Sequence, residues 1–222
     1  MGSADHQRAH LTSRPKLPSR TDVPSDARVL VLLAHPALHR SRVNGPLARA
    51  ARAVPGVTVH DLYESYPDHD VDVPHEQALL LAHDVVVLQH PFYWYSTPSL
   101  VKEWIDQVLL FGWAYGPNGN ALMGKTWIHA FSTGGPAEAY GPEGHNRFTL
   151  RQLLAPLEQT AKLCGMRFLP PFAIHGSLRL DTAAIAEAAS RYQALLTALR
   201  EGLRPRDDSH ERTEVVTHWE AP

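Results

Sequence analysis

The chain reads as an α/β protein, with one five-stranded parallel sheet between two layers of helices. Two observations predict this. Five apolar runs of strand length alternate with helical patterns along residues 29–203, and strands so arranged are buried on both faces of a parallel sheet. Right-handed crossovers then leave few topologies, of which the order 2-1-3-4-5 is among the commonest.

Each element has its reason in the residues. VLVLLAHP (29–36) is an unbroken apolar run closed by a proline, as a buried strand is. A helix is predicted over 44–53. VTVHDLY (57–63) reads as the second strand and HEQALLLAHD (75–84) as a short helix. VVVLQHP (85–91) is the third strand. SLVKEWIDQVLLF (99–111) sets Val101, Trp104, Ile105, Val108 and Phe111 at helical intervals, an apolar stripe wide enough to suggest a dimer face. WIHAFST (127–133) is the fourth strand, and 149–165 a helix in which Pro156 marks a kink. FLPPFAIHG (168–176) is the fifth strand, and Pro170 and Pro171 place it at an edge. The last helix spans 182–203. Residues 1–26 and 204–222 lack periodicity and are mostly polar, which predicts disordered tails on one domain of 27–203.

Composition excludes several classes. A net charge of -2 over 222 residues gives no bulk attraction to nucleic acid or to an acidic membrane. The lone Cys164 forms no intrachain disulfide and, in KLCGM, reads as a small buried residue rather than a nucleophile. The first residues carry no secretory pattern and no run suffices to span a bilayer, so a cytoplasmic setting is expected.

In the order 2-1-3-4-5, strands one, three and four end side by side, at the switch point where open α/β sheets bind ligands. The loops leaving them are the most unusual segments: HPALHRSRVN (35–44), HPFYWYSTP (90–98) and STGGPAEAYGPEGHN (132–146). In the first, Ser41, Arg42 and Asn44 precede a helix whose free amides and dipole suit a phosphate. Simple capping by Ser41 or Asn44 is the plainer alternative. His35, closing strand one, faces the same pocket or is bonded structurally at the strand end. In the second loop, Phe92, Tyr93, Trp94 and Tyr95 form a wall for a flat aromatic ligand, or else pack the loop onto the domain. In the third, Ser132, Thr133, Gly134 and Gly135 let backbone N–H groups approach a heterocycle's carbonyl edge, or make an ordinary turn. A phosphate turn, an aromatic wall and a donor loop match the three parts of FMN.

Competing motifs fare worse. GNALMGKT (119–126) fits the Walker A pattern, but a strand follows it where a phosphate loop needs a helix. The fourteen histidines show no HExxH and no paired Cys/His spacing, so no metal site is expected. Neither GxSxG nor a GxGxxG after strand one is present.

Eight segments in order carry a family likeness: AHP (34–36), SRVN (41–44), LYESYPDHDVDVPHEQ (62–77), QHPFYWYSTP (89–98), WIDQVLLFGWAYG (104–116), LMGK (122–125), STGG (132–135) and LPPFAIHG (169–176). Over residues 28–200 the chain resembles the flavodoxin-like NAD(P)H:quinone oxidoreductases. The likeness is greatest to the ancillary flavoproteins of glutathione-regulated potassium-efflux systems. The resemblance implies FMN as cofactor, NAD(P)H as electron donor and quinones as acceptors, with ping-pong hydride transfer through FMN N5. By position it implies His35, Ser41, Arg42, Val43 and Asn44 at the phosphate and ribityl chain. Phe92, Tyr93, Trp94, Tyr95, Ser132, Thr133, Gly134 and Gly135 would border the isoalloxazine ring, and Tyr140 and His145 would assist hydride transfer. A homodimer closing over the flavin is also implied. So is an alternative role as regulatory subunit of a potassium-efflux antiporter, held at the inner membrane by that partner.

Overall fold

A computed structural model describes residues 26–202. The tails expected at 1–26 and 204–222 lie outside the described residues, Asp26 excepted. The central strands are β1 (Val29–Leu33), β2 (Val57–Asp61), β3 (Val85–Pro91) and β4 (Thr126–Ser132). They pair in parallel in the order β2-β1-β3-β4, and β5 (Arg167–Phe168) and β6 (Phe172–Ile174) both pair with β4. The predicted order 2-1-3-4-5 is the observed one, with the fifth strand in two pieces. Trp127 pairs with Phe168 but Ala130 with Phe172, so the edge carries one extra residue. That bulge falls at Pro170-Pro171, where two N–H donors are missing from the ladder.

Alternation along the strands fills two cores. One side gathers Leu30, Leu32, Val86 and Leu88 against Trp104, Val101 and Leu80. The other gathers Val29, Val31, Val85 and Val87 against Leu47, Tyr192 and Leu196. Each such aliphatic side chain, fully buried, contributes roughly 1.5–3 kcal/mol. The helices doing the covering are α1 (Asn44–Arg52), α2 (Leu62–Ser65), α3 (Val73–Ala82), α4 (Ser99–Val108), α5 (Leu150–Leu153), α6 (Ala155–Leu163) and α7 (Thr182–Arg200).

Three differences from the sequence pattern have local causes. Helix α3 starts at Val73 because Asp72 accepts the His75 N–H and Pro74 fits the first turn. The helix expected over 149–165 breaks at Leu154, and Pro156 sits in the first turn of α6. Helix α4 stops at Val108, where Leu109 leaves helical geometry (φ -85, ψ 65). Val101, Trp104 and Val108 are fully buried in the chain's own core, so the apolar stripe assigned to a dimer face is mostly internal. What remains outside is Leu110 and Phe111, the latter 68% exposed.

The motif 62–77 is a buried polar anchor. Glu76 is fully buried; its Oε1 accepts from Tyr66 Oη at 2.6 Å and meets His60 Nε2 at 2.6 Å, and Oε2 accepts from Trp104 Nε1 at 2.8 Å. Burial by itself raises a carboxyl pKa, but hydrogen bonds from His60, Tyr66 and Trp104 and the His60 charge outweigh it and bring Glu76 below its usual value. This carboxylate ties α3 to β2 and α4. The Walker-like segment leads straight into β4, and Lys125 Nζ donates to the His83 and Leu81 carbonyls at 2.6 and 3.3 Å. Cys164 is buried, which pushes its thiol up to about 11.

Candidate functional site

The β3–β4 register aligns Pro91 with Ser132, and the Phe92 amide continues the ladder to the Ser132 carbonyl at 2.8 Å. The second and third loops therefore leave the sheet side by side. The first loop is tied to them by Asn44, whose Nδ2 donates to Ser132 Oγ at 2.9 Å. Gln89 Nε2 donates to the Asn44 carbonyl at 3.0 Å. The three loops thus converge as the topology predicts.

In the first loop Ser41 Oγ accepts from the Asn44 amide at 3.0 Å. Ser41 thus braces the start of α1 from outside it, where Val43 is the N-cap residue without a side-chain bond, and the Asn44 side chain is turned toward Ser132. With that oxygen accepting, the Ser41 hydroxyl proton is left to donate. Among the described residues the amides of Arg42, Val43 and Gly45 make no hydrogen bond. Three free N–H groups and one hydroxyl at a helix start form an anion cradle. Arg42 does not supply its charge there in the manner expected. Its guanidinium donates to the Leu178 and Leu180 carbonyls at 3.1 and 2.6 Å. The Val43 side chain is also turned away, packed in the core beside Leu47. His35 Nδ1 accepts from the Ala37 amide at 3.1 Å, which puts the proton of the neutral ring on Nε2. Burial lowers its pKa, so this neutral form is favoured.

The aromatic loop divides. Phe92 is buried and stacks on Phe131 with centroids 4.8 Å apart, so its side chain packs the loop down rather than facing a ligand. Tyr93 and Tyr95 are 45% and 46% exposed, and Trp94 is 93% exposed. Trp94 and Tyr95 both hold positive φ, 48° and 63°. That conformation costs a side-chain-bearing residue roughly 1–2 kcal/mol, and such strain collects at binding sites.

The third loop is organised by Thr133. Its hydroxyl lies 2.7 Å from the Gly135 carbonyl, which can only accept, so Thr133 donates there. Thr133 Oγ1 then accepts from His175 Nδ1–H at 3.1 Å. Burial raises the Tyr140 pKa. Gly134 and Gly135 have no hydrogen bond on their amides among the described residues. Gly134 has open space where a Cβ would stand. Gly144 closes the loop, because a Cβ there would meet the Glu138 and Ala139 carbonyls at 2.5 Å. A cavity of about 730 Å³ opens against this loop, lined by Tyr95, Gly135, Tyr140, His145 and Asn146 among others. Tyr140 and His145 share its wall, but Tyr140's ring neighbours are Phe92 and His175, at 6.2 and 5.6 Å.

A fourth segment was missed by sequence. The loop after β6 binds the third loop through Thr133 N to Ile174 O, Gly176 N to Gly135 O and Ser177 N to Thr133 O, at 2.8 to 2.9 Å. The same loop holds Arg42. Its only sequence signal is a histidine directly after the fifth strand, in FAIHG (172–176).

FMN fits what is present. Its phosphate needs several donors at one helix start, and its ring needs aromatic faces and N–H groups along one edge. Asn44 Oδ1 and Gln89 Oε1 are also buried acceptors without a protein partner, placed between the first and third loops. Ribityl hydroxyls are donors of the kind such atoms lack.

The flavodoxin-like fold family matches residues 27–196. An NAD(P)H oxidoreductase of Bacillus subtilis, YdeQ, is 46% identical over 170 residues, covering 77% of this chain and 86% of that protein. KefG of Pectobacterium carotovorum, an ancillary protein of a glutathione-regulated potassium-efflux system, is 46% identical over 165 residues, covering 74% and 90%. Among solved structures, a general stress protein 14 of Treponema denticola in complex with FMN is 40% identical, with a TM-score of 0.73 and coverage of 78% and 99%. An NADPH-quinone reductase from P. pentosaceus is 34% identical, with a TM-score of 0.69 and coverage of 76% and 96%. A protein described as a tryptophan halogenase of Streptomycin violaceusniger is 43% identical, with a TM-score of 0.74 and coverage of 75% and 97%. One fold serves several reactions, so the chemistry must be argued from the site.

Proposed function

The chain belongs to the flavodoxin-like fold family, and from that premise we propose that it is an FMN-dependent NAD(P)H:quinone oxidoreductase. The observation that carries this is the pair of free amide rows. Arg42, Val43 and Gly45 stand at one end and Gly134 and Gly135 at the other, with the strained aromatic turn beside them. FMN, when bound, supplies the hydride chemistry. The protein's part is to hold and orient. The first row and the Ser41 hydroxyl grip the phosphate; Tyr93, Trp94 and Tyr95 cover the ring. The Gly134 and Gly135 amides stabilise negative charge on the ring's carbonyl edge. Tyr140 and His145 border the cleft where the reactants sit. NAD(P)H and quinone use this cleft in turn, which gives ping-pong kinetics.

Steady-state rates with NADPH and a quinone, each varied, test this: parallel double-reciprocal lines are expected. Intersecting lines, or no turnover by the FMN-loaded protein, would contradict it. A homodimer, with Leu110 and Phe111 at the interface, belongs to the same proposal. So does a cytoplasmic location; no described helix is long and apolar enough to cross a membrane. A second reading, as the regulatory partner of a potassium-efflux antiporter, is supported by the likeness to KefG. Quinone turnover unaffected by the antiporter, with ion flux unaffected by the protein, would dismiss it.

A further inference from the structure

We propose that His60, His75 and Glu76 form a binding site for one divalent transition-metal ion of the Zn2+ type, outside the FMN cleft. The three residues each offer one donor atom, and the three atoms lie within 4.8 Å of one another. Two imidazole nitrogens and one carboxylate oxygen form a donor set suited to zinc, with a fourth position open to water. His60 is the penultimate residue of β2, and His75 and Glu76 lie in the first turns of α3. A spacing search misses the group because fold, not sequence proximity, brings His60 to the other two.

The carboxylate is prepared as metal ligands are. Glu76 is fully buried and cannot swing, since Tyr66 Oη and Trp104 Nε1 hold its two oxygens. Donors of this kind fix a ligating carboxylate from behind. His60 Nε2 faces Oε1 at 2.6 Å, so a proton now occupies the place between them. The metal takes that place, and the proton leaves to solvent. His75 completes the set from outside. It is exposed, its ring contacts that of His60 at 5.7 Å, and no hydrogen bond among the described residues holds its nitrogens. It is therefore free to turn inward. Ligand nitrogens and oxygens around zinc sit about 2.0–2.2 Å from the ion. His60 must accordingly draw slightly away from Glu76, and its partial exposure allows this (side-chain exposure 14%). The bound ion would clamp the start of α3 to the end of β2.

The test is calorimetric titration of the EDTA-treated full chain with Zn2+, alongside thermal melts with and without the ion. One equivalent should bind per chain, and the melting temperature should rise. His75→Ala should fold and melt as the parent does without metal, because His75 makes no buried contact, and should lose tenfold or more in Zn2+ affinity together with the thermal shift. Co2+ in place of Zn2+ should give the visible absorption of a four-coordinate site, absent in the variant. No binding at millimolar Zn2+, binding unchanged in His75→Ala, or a Co2+ spectrum without four-coordinate bands would each overturn the site.

Discussion

At the scale of single residues, the site separates side chains that face a ligand from those that position the loops. In the proposed FMN site Trp94 is of the first kind: nearly fully exposed and held at positive φ, it contributes little to the chain's own core. Trp94→Ala should leave stability almost unchanged and weaken FMN by about tenfold, the worth of roughly 1–1.5 kcal/mol of aromatic stacking. Fluorescence titration with FMN checks this. Arg42 is of the second kind, because its charge is spent on the Leu178 and Leu180 carbonyls. Arg42→Ala should lower the melting temperature more than it lowers FMN affinity. His175 also acts through others. Its Nδ1–H supports Thr133, which in turn holds the Gly135 carbonyl, and its ring lies 5.6 Å from that of Tyr140. His175→Ala should reduce kcat with little change in KM, and His175→Asn, whose amide can donate from the same place, should restore most of it. Equal losses in both variants would show that His175 merely fills space.

At the scale of elements, β3 and β4 carry a buried polar chain with a fixed direction. The Trp127 indole can only donate, and it does so to His129 Nε2 at 2.9 Å. His129 Nδ1 therefore bears its proton and donates to His90 Nε2 at 3.0 Å. His90 Nδ1 then donates to the Pro91 carbonyl at 2.9 Å, at the root of the aromatic loop. Every link needs both rings neutral, and both are fully buried. Burial lowers the His90 pKa to about 4 and holds His129 well below its usual value, helped by neighbouring His90. The unfolded chain binds these protons near pH 6.5 and the folded chain does not, so stability is present above that pH and is lost on acidification. His90 contributes up to about 1.4 kcal/mol per pH unit between pH 6.5 and 4, and His129 acts in the same direction. Urea melts at pH 7.5 and 5 should show a clear fall in stability; equal midpoints would contradict the neutral chain. Sequence could not show this chain. It exists only because the strand register sets His90 and His129 near each other, 39 residues apart. The strands themselves were legible, since unbroken Val and Leu runs have few other uses. The split of the fifth strand was legible only as an interruption, because Pro170 and Pro171 do not say on which side the ladder resumes. Phe92 was read as part of the ligand wall, because exposure within an aromatic run depends on the turn at Trp94 and Tyr95, which no residue type announces.

At the scale of the whole molecule, one topology brings three strand ends together and one missed loop binds them into a unit. The order β2-β1-β3-β4 brings the loops at 41–44 and 132–135 together, and Asn44 bonds Ser132 between them. Assembly adds to this: light scattering over a dilution series should give a dimer, and Phe111→Lys should shift it toward monomer, since Phe111 is exposed beyond α4. The central claim is that these loops hold FMN in position to be reduced. It is tested most directly by the absorption spectrum of the purified protein after incubation with FMN and gel filtration, followed by anaerobic NADPH. The flavin bands should co-elute with the protein at one per chain and bleach on addition of NADPH. Protein that stays colourless after excess FMN, or bound flavin that NADPH leaves oxidised, would contradict the account.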